Sequence, residues 1–199
     1  MTRIVNNCVA LVCLCLFWGQ SLRAADASHS EQIKWGNESV FNEEHNTLGL
    51  FSGVLGGQIV LAGGTSDDYS RWGRNAVCLS ENAGFALYED VLSKPLAYGA
   101  SITLSDGILC IGGRDSSQCY EDVFFVTMQQ GKLNVSEDWP PLPFPLSNAA
   151  GALLDNKVYL FGGRKSVSPS RLSDSFFVLD LSNKSRGWKE LPGYPGCVR

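Results

Sequence analysis

Three times in this 199-residue chain an apolar run ends in two adjacent glycines: "GQIVLAGG" at 57–64, "GILCIGG" at 107–113 and "NKVYLFGG" at 156–163. The leading glycines, Gly63, Gly112 and Gly162, stand 49 and 50 residues apart. Glycine weakens the interior of a strand, so its return at a fixed interval marks a place where the backbone requires it. Three unrelated turns would not share that spacing; a repeat array does.

The register extends to both sides. A leucine lies eight residues before each leading glycine (Leu55, Leu104, Leu154), preceded by the small-residue runs "GLFSGVL", "YGASITL" and "NAAGALL". Each unit therefore predicts a strand, a tight turn (Gly56-Gly57, Ser105-Asp106-Gly107, Asp155-Asn156) and a second strand closed by the glycines. A third apolar run follows, "NAVCLS", "EDVFFVTM" or "DSFFVLDL", and the last two units add a tryptophan before prolines, "DWPPLPFP" and "GWKELPGYP". Four short strands in about 50 residues, with a diglycine and a trailing Trp, resemble the kelch repeat, whose unit is one four-stranded blade of a β-propeller.

The expected class is all-β. The resemblance covers roughly 48–197 and implies three four-stranded blades, at about 48–97, 98–147 and 148–199, of an expected six. Blades converge on a central channel, where residues without a Cβ let backbones approach closely and take positive φ. Propellers need at least four blades, so the expectation is either part of a chain about twice as long or self-association of two copies through open blade faces.

The N-terminus, "MTRIVNNCVALVCLCLFWGQSLRAAD", has a basic start at Arg3, an apolar stretch from Cys8 to Trp18 and small residues at Ala24 and Ala25. Residues 1–24 read as a secretory signal peptide, the apolar stretch being too short to span a bilayer; a retained N-terminal anchor is the alternative. Cleavage removes two arginines and no acid, taking the formal charge from −4 to −6. An acidic mature chain without a Lys/Arg cluster argues against nucleic acid and anionic membrane as partners, and the expected location is periplasmic or secreted. Segment 25–47 is polar around "QIKW", either a ring-closing strand carrying Trp35 or a solvated linker. Four cysteines remain after cleavage, Cys78, Cys110, Cys119 and Cys197. Export permits disulfides among them, but none has zinc-ligand spacing, and Cys110 reads as a small buried strand residue. No metal or other cofactor is implied.

A more specific resemblance rests on "GLFSGVLGGQIVLAGG" after the N-terminal segment, then "YGASITLSDGILCIGGRDSSQCYEDVFFV", then "NAAGALLDNKVYLFGG". In order and content these resemble the cyclically permuted branch of the sialic acid mutarotase (N-acetylneuraminate epimerase) family. The resemblance implies anomer interconversion of a small-molecule sugar, N-acetylneuraminate or a relative. Such a reaction needs a base for the anomeric hydroxyl proton and an acid for the ring oxygen, and an arginine suits the substrate carboxylate. The family's catalytic Glu/Arg pair belongs to a later blade and matches no position here, so no catalytic residue is assigned.

The candidates that remain follow the diglycines: Asp67, Asp68, Arg71 and Arg74; Arg114 and Asp115; Arg164 and Lys165. Arg74, Arg114 and Arg164 are the substrate-binding candidates, and Arg114 and Arg164 occupy equivalent positions. The alternative for each is a solvated loop charge or a blade-to-blade ion pair. The first loop, "GGTSDDYSRWGR", departs from the Asn-Phe-Pro type of the permuted branch. Trp72, in that loop, is a candidate for stacking on a sugar face; Trp139 and Trp188 read as packing between blades. A non-catalytic kelch module binding a glycan or protein is the competing function class. A copper radical oxidase is excluded because both histidines, His29 and His45, precede the first blade.

Overall fold

The computed structural model describes residues 48–80 and 84–193; the signal-peptide, "QIKW" and Cys197 readings lie outside them. Three successive antiparallel sheets of four strands follow one another along the chain. The first comprises β1 (Phe51–Leu55), β2 (Gln58–Ala62), β3 (Ala76–Ser80) and β4 (Gly84–Tyr88). The second comprises β5 (Ala100–Thr103), β6 (Ile108–Ile111), β7 (Val123–Gln129) and β8 (Lys132–Ser136). The third comprises β9 (Ala150–Leu154), β10 (Lys157–Phe161), β13 (Phe176–Asp180) and β14 (Lys189–Leu191). A two-stranded ribbon, β11 (Arg164–Ser166) with β12 (Arg171–Leu172), sits between β10 and β13, and a short 3-10 helix (Leu181–Arg186) precedes β14. Within each sheet the strands neighbour one another in sequence order, the up-and-down arrangement of kelch blades.

The hairpin turns follow from the residues at them. Leu55 pairs with Gln58 and Leu154 with Lys157, which leaves Gly56-Gly57 and Asp155-Asn156 as two-residue turns with all four φ positive. That geometry matches the right-handed twist of the strands and selects Gly, Asn and Asp. The middle hairpin is tighter than its sequence indicates. Leu104 N–H donates to Gly107 O at 2.7 Å, so Ser105-Asp106 alone turn. Gly107 is instead required inside the hairpin, where a Cβ would lie 2.3 Å from Phe125 Cζ.

Two cores lie between the three sheets. Phe51, Val60, Cys78, Ile108, Cys110, Phe124 and Val126 fill the first; Ile102, Leu109, Ile111, Phe125, Val158, Leu160, Phe177 and Leu179 fill the second. The unbroken apolar run "ILCI" of β6 is explained by this placement. Its alternate residues enter opposite cores, so all four are buried, as in strands covered on both faces. The outward faces differ: Val54, Ile59, Phe85 and Leu87 of the first sheet are about half exposed.

Trp139 and Trp188 both pack against the second core, Trp139 on Phe125 at 5.2 Å between ring centroids. Trp188 Nε1 donates to Pro140 O at 3.0 Å, tying the third sheet to the second. They flank the outer strands from opposite ends, Trp139 after β8 and Trp188 before β14.

The thiols of Cys78, Cys110 and Cys119 are free and buried, and burial pushes the Cys78 and Cys110 pKa values up. Thiolate is the reactive form, so Cys78 and Cys110 are expected to resist iodoacetamide in the folded protein and to alkylate fully in denaturant, a difference that peptide mapping by mass spectrometry reads directly. Alkylation of the native protein at the rate seen in denaturant would contradict the burial.

Candidate functional site

The diglycines sit where successive sheets meet. A Cβ on Gly63 would lie 2.2 Å from Leu96 O, and one on Gly112 would lie 2.2 Å from Leu146 O. These glycines therefore make room for the linking segment that leaves their own sheet. The second glycines face the incoming segment, as Gly113 faces Ala97 O and Gly163 faces Ser147 O. The next residue then makes a two-hydrogen-bond bridge to that segment: Thr65 with Leu48, Arg114 with Ala97, Arg164 with Ser147. The predicted equivalence of Arg114 and Arg164 is thus a backbone fact.

One residue further along the incoming segment stand Gly49, Tyr98 and Asn148, all with positive φ. They link successive sheets: Tyr98 N–H donates to Gly49 O at 2.7 Å and Asn148 N–H to Tyr98 O at 2.6 Å. Glycine and asparagine are ordinary occupants of left-handed backbone, but a tyrosine there costs roughly 1–2 kcal/mol. Tyr69, in the loop after the first diglycine, is also left-handed at φ 59°.

These two tyrosines meet. Tyr69 and Tyr98 stack with centroids 6.5 Å apart and Trp72 lies edge-on to Tyr98 at 6.4 Å. Trp72 is oriented by its Nε1, which donates to Tyr69 O at 3.1 Å. The Arg114 guanidinium lies over all three rings, 4.9 Å from Tyr98, 5.0 Å from Trp72 and 5.9 Å from Tyr69. Gly49 allows this arrangement, since a Cβ there would lie 2.8 Å from the Tyr98 ring. Tyr69 and Tyr98 are also joined through their hydroxyls at 3.4 Å. Burial, with that hydrogen bond, pushes the Tyr98 hydroxyl up to about 12 against the opposing pull of Arg114, so it is neutral at physiological pH.

Arg114 is half-buried and makes no ion pair with a carboxylate of the described residues, unlike Arg74, which pairs with Asp90, and Lys94, which pairs with Asp122. Its Nη1 donates to Asp115 O at 3.3 Å, and its buried Nε has no partner. A buried donor left unpaired is rare in a folded protein.

The other candidates are placed differently. Asp68 accepts from the Ser66 and Ser70 hydroxyls and from Ser70 N–H, which hold its carboxyl down to about 2. Asp67 and Arg71 are exposed in the same loop. Arg74 is engaged by Asp90, and Lys165 lies over the Phe144 ring at 4.2 Å. Arg164 has the backbone setting of Arg114 without the three-ring surround.

Asp115 shapes the loop beyond Arg114. Burial pushes its carboxyl up, but hydrogen bonds from Tyr120 Oη at 2.6 Å, Gln118 N, Ser117 N and Ser117 Oγ outweigh burial and hold it down to about 2. A depressed folded pKa contributes stability above the unfolded value, lost as pH falls through the folded one. Asp115→Asn is therefore expected to destabilise by at most about 1 kcal/mol near pH 6, after solvent screening, and to match the parent protein near pH 2. Urea denaturation at the two pH values checks this; an equal deficit at both would assign the effect to loop packing.

The tyrosines were not among the sequence candidates. A signal existed: Tyr98 falls in register with Gly49 and Asn148, at a position whose other occupants tolerate left-handed backbone.

Comparison with known proteins fits this architecture. The kelch motif family matches residues 145–192. The N-acetylneuraminate epimerase of Vibrio cholerae serotype O1 is 31% identical over 80 residues, covering 40% of this chain and 19% of that protein. Those of Brucella suis and Brucella melitensis biotype 1 are each 33% identical over 66 residues, covering 33% of this chain and 15% of theirs. The matched stretch thus spans less than a fifth of each relative. The chain carries a kelch motif at 145–192 and is similar over part of its length to the N-acetylneuraminate epimerases.

Proposed function

We propose that the protein is an exported sugar mutarotase of the epimerase-like kind, exchanging the anomers of N-acetylneuraminate or a related acidic sugar. The observation that carries the reading is the similarity to proteins of that name, in a chain whose sheets repeat at the spacing of kelch blades. The signal-like N-terminus supports export. The reaction is a ring opening and closing: a base takes the anomeric hydroxyl proton, an acid protonates the ring oxygen, and the roles reverse on closure. The test is anomer exchange of N-acetylneuraminate followed by proton NMR. The measurement is made on this polypeptide and on any longer form that carries the later blades: exchange well above the buffer rate is expected of the longer form, and exchange there at the buffer rate would remove the enzymatic reading.

A second reading, a glycan-binding module without catalysis, is favoured by one observation: Tyr69, Trp72, Tyr98 and Arg114 gather three aromatic rings and a guanidinium at one loop cluster, which suits binding a ring-shaped acidic ligand. Saturable sugar binding without exchange would select this reading.

A further inference from the structure

We propose that Tyr69, Trp72, Tyr98 and Arg114 form a composite subsite at the junction of the first two sheets, which holds an acidic sugar by stacking its ring and pairing its carboxylate with the Arg114 guanidinium. The choice of sugar rests on the epimerase-like reading; the site itself rests on three features of the molecule.

Arg114 is a half-buried cation that makes no ion pair with a carboxylate of the described residues, and its buried Nε has no hydrogen-bond partner. A cation that served only structure would be expected to meet one of the loop acids. Asp115, its neighbour, instead spends its carboxylate on Ser117, Gln118 and Tyr120. The guanidinium is weakly hydrated and planar, and its two-pronged donor edge matches a carboxylate.

The tyrosines are held at a backbone cost. Both are in the left-handed region, at φ 59° and 61°, and strain of this kind clusters at ligand sites. Packing does not call for it at Tyr69, which remains 49% exposed. The bulky side chain at position 98, where the equivalent positions carry Gly49 and Asn148, is what brings an aromatic ring to Arg114.

The chemistry also fits. Aromatic faces take the apolar face of a sugar ring. The loop 65–72 supplies Tyr69 and Trp72, while the second sheet supplies Tyr98 and Arg114, so the subsite exists only where the two sheets are docked.

The test uses the methyl α-glycoside of N-acetylneuraminate, a locked anomer that binds without being turned over, titrated into the full chain and followed by saturation-transfer NMR. Binding by the parent protein is expected. The carboxamide of the same glycoside, Arg114→Met and Trp72→Ala should each weaken binding by about tenfold to a hundredfold, and Arg114→Lys should recover only part. Melting curves run alongside establish that each variant is folded, and Lys132→Met, an exposed change on β8 outside the cluster, should stay within about threefold of the parent. No binding to the parent protein, or equal binding of acid and carboxamide, overturns the proposal, as does unchanged affinity in folded Arg114→Met. The outcome is separable from the enzymatic reading. Glycoside binding that depends on Arg114 without anomer exchange keeps the subsite and removes the mutarotase; exchange indifferent to Arg114 does the reverse.

Discussion

Gly112→Ala is expected to lose about 3–5 kcal/mol of folding stability, enough to deplete most of the margin of a typical domain. Two costs combine. The new Cβ would lie 2.2 Å from Leu146 O, a backbone atom that moves only if the linking segment moves. That segment is pinned, because Leu146 O accepts from Gly113 N–H at 2.8 Å and Leu146 N–H donates to Tyr120 O at 3.0 Å. The second cost is φ at +63°, where a side chain is strained in any surroundings. Gly131→Asn is the control. Its φ is also positive, at +74°, but a Cβ there meets nothing within 4 Å and Asn accepts this backbone, so a change within about 1 kcal/mol is expected. Urea unfolding midpoints with unchanged slopes make the comparison. If both variants lose equally, the close approach is not what the diglycine serves.

Phe51→Ala is expected to cost about 3–5 kcal/mol and to loosen the first sheet from the second before it affects the third. Phe51 is 1% exposed, and its ring lies edge-on to Phe124 with centroids 5.2 Å apart. It fills the space that the second sheet leaves open: a Cβ on Gly99 would lie 2.1 Å from Phe51 Cε1, and one on Gly113 would lie 3.2 Å from its Cζ. The first sheet therefore docks as a ring seated between two glycines of its neighbour, and truncation leaves a cavity that backbone cannot collapse into. Hydrogen exchange resolves the outcome by strand. Protection should fall in β1 and β2 while β13 keeps it; uniform loss across all three sheets would show instead that the sheets unfold as one unit.

The sheets were legible in the sequence because their determinants are local and recur. The glycines at 63, 112 and 162, the two-residue turns at 56–57 and 155–156 and the apolar third runs each appear in register, so three copies test one another. Reading failed where a residue answers to a partner outside its own hairpin. Gly107 was read as part of a turn, yet it makes way for Phe125 on the next strand of the same sheet. The tryptophans at 139 and 188 share the repeat spacing but flank strands from opposite ends, because the 3-10 helix at Leu181–Arg186 displaces the outer strand of the third sheet. The cluster around Arg114 was half visible. Arg114 and Trp72 stood out as loop residues, whereas Tyr69 and Tyr98 did not, since their role comes from backbone conformation and from a junction between units.

The connections between second and third strands run over 63–75, 112–122 and 162–175, unequal in length although their ends coincide. In every sheet the entry is fixed by the leading glycine, whose N–H donates to the residue just before the third strand: Gly63 to Asn75 O, Gly112 to Asp122 O, Gly162 to Ser175 O. That clasp, with a second bond from Gly73 N–H to Gly64 O, Tyr120 N–H to Gly113 O or Ser173 N–H to Gly163 O, closes each connection at its base, so what lies above it can lengthen, shorten or change composition without disturbing the strands below. Such a scaffold separates inheritance of shape from inheritance of chemistry: whole loops can be exchanged among its units, and new specificities acquired, at positions where the frame is indifferent to what it carries.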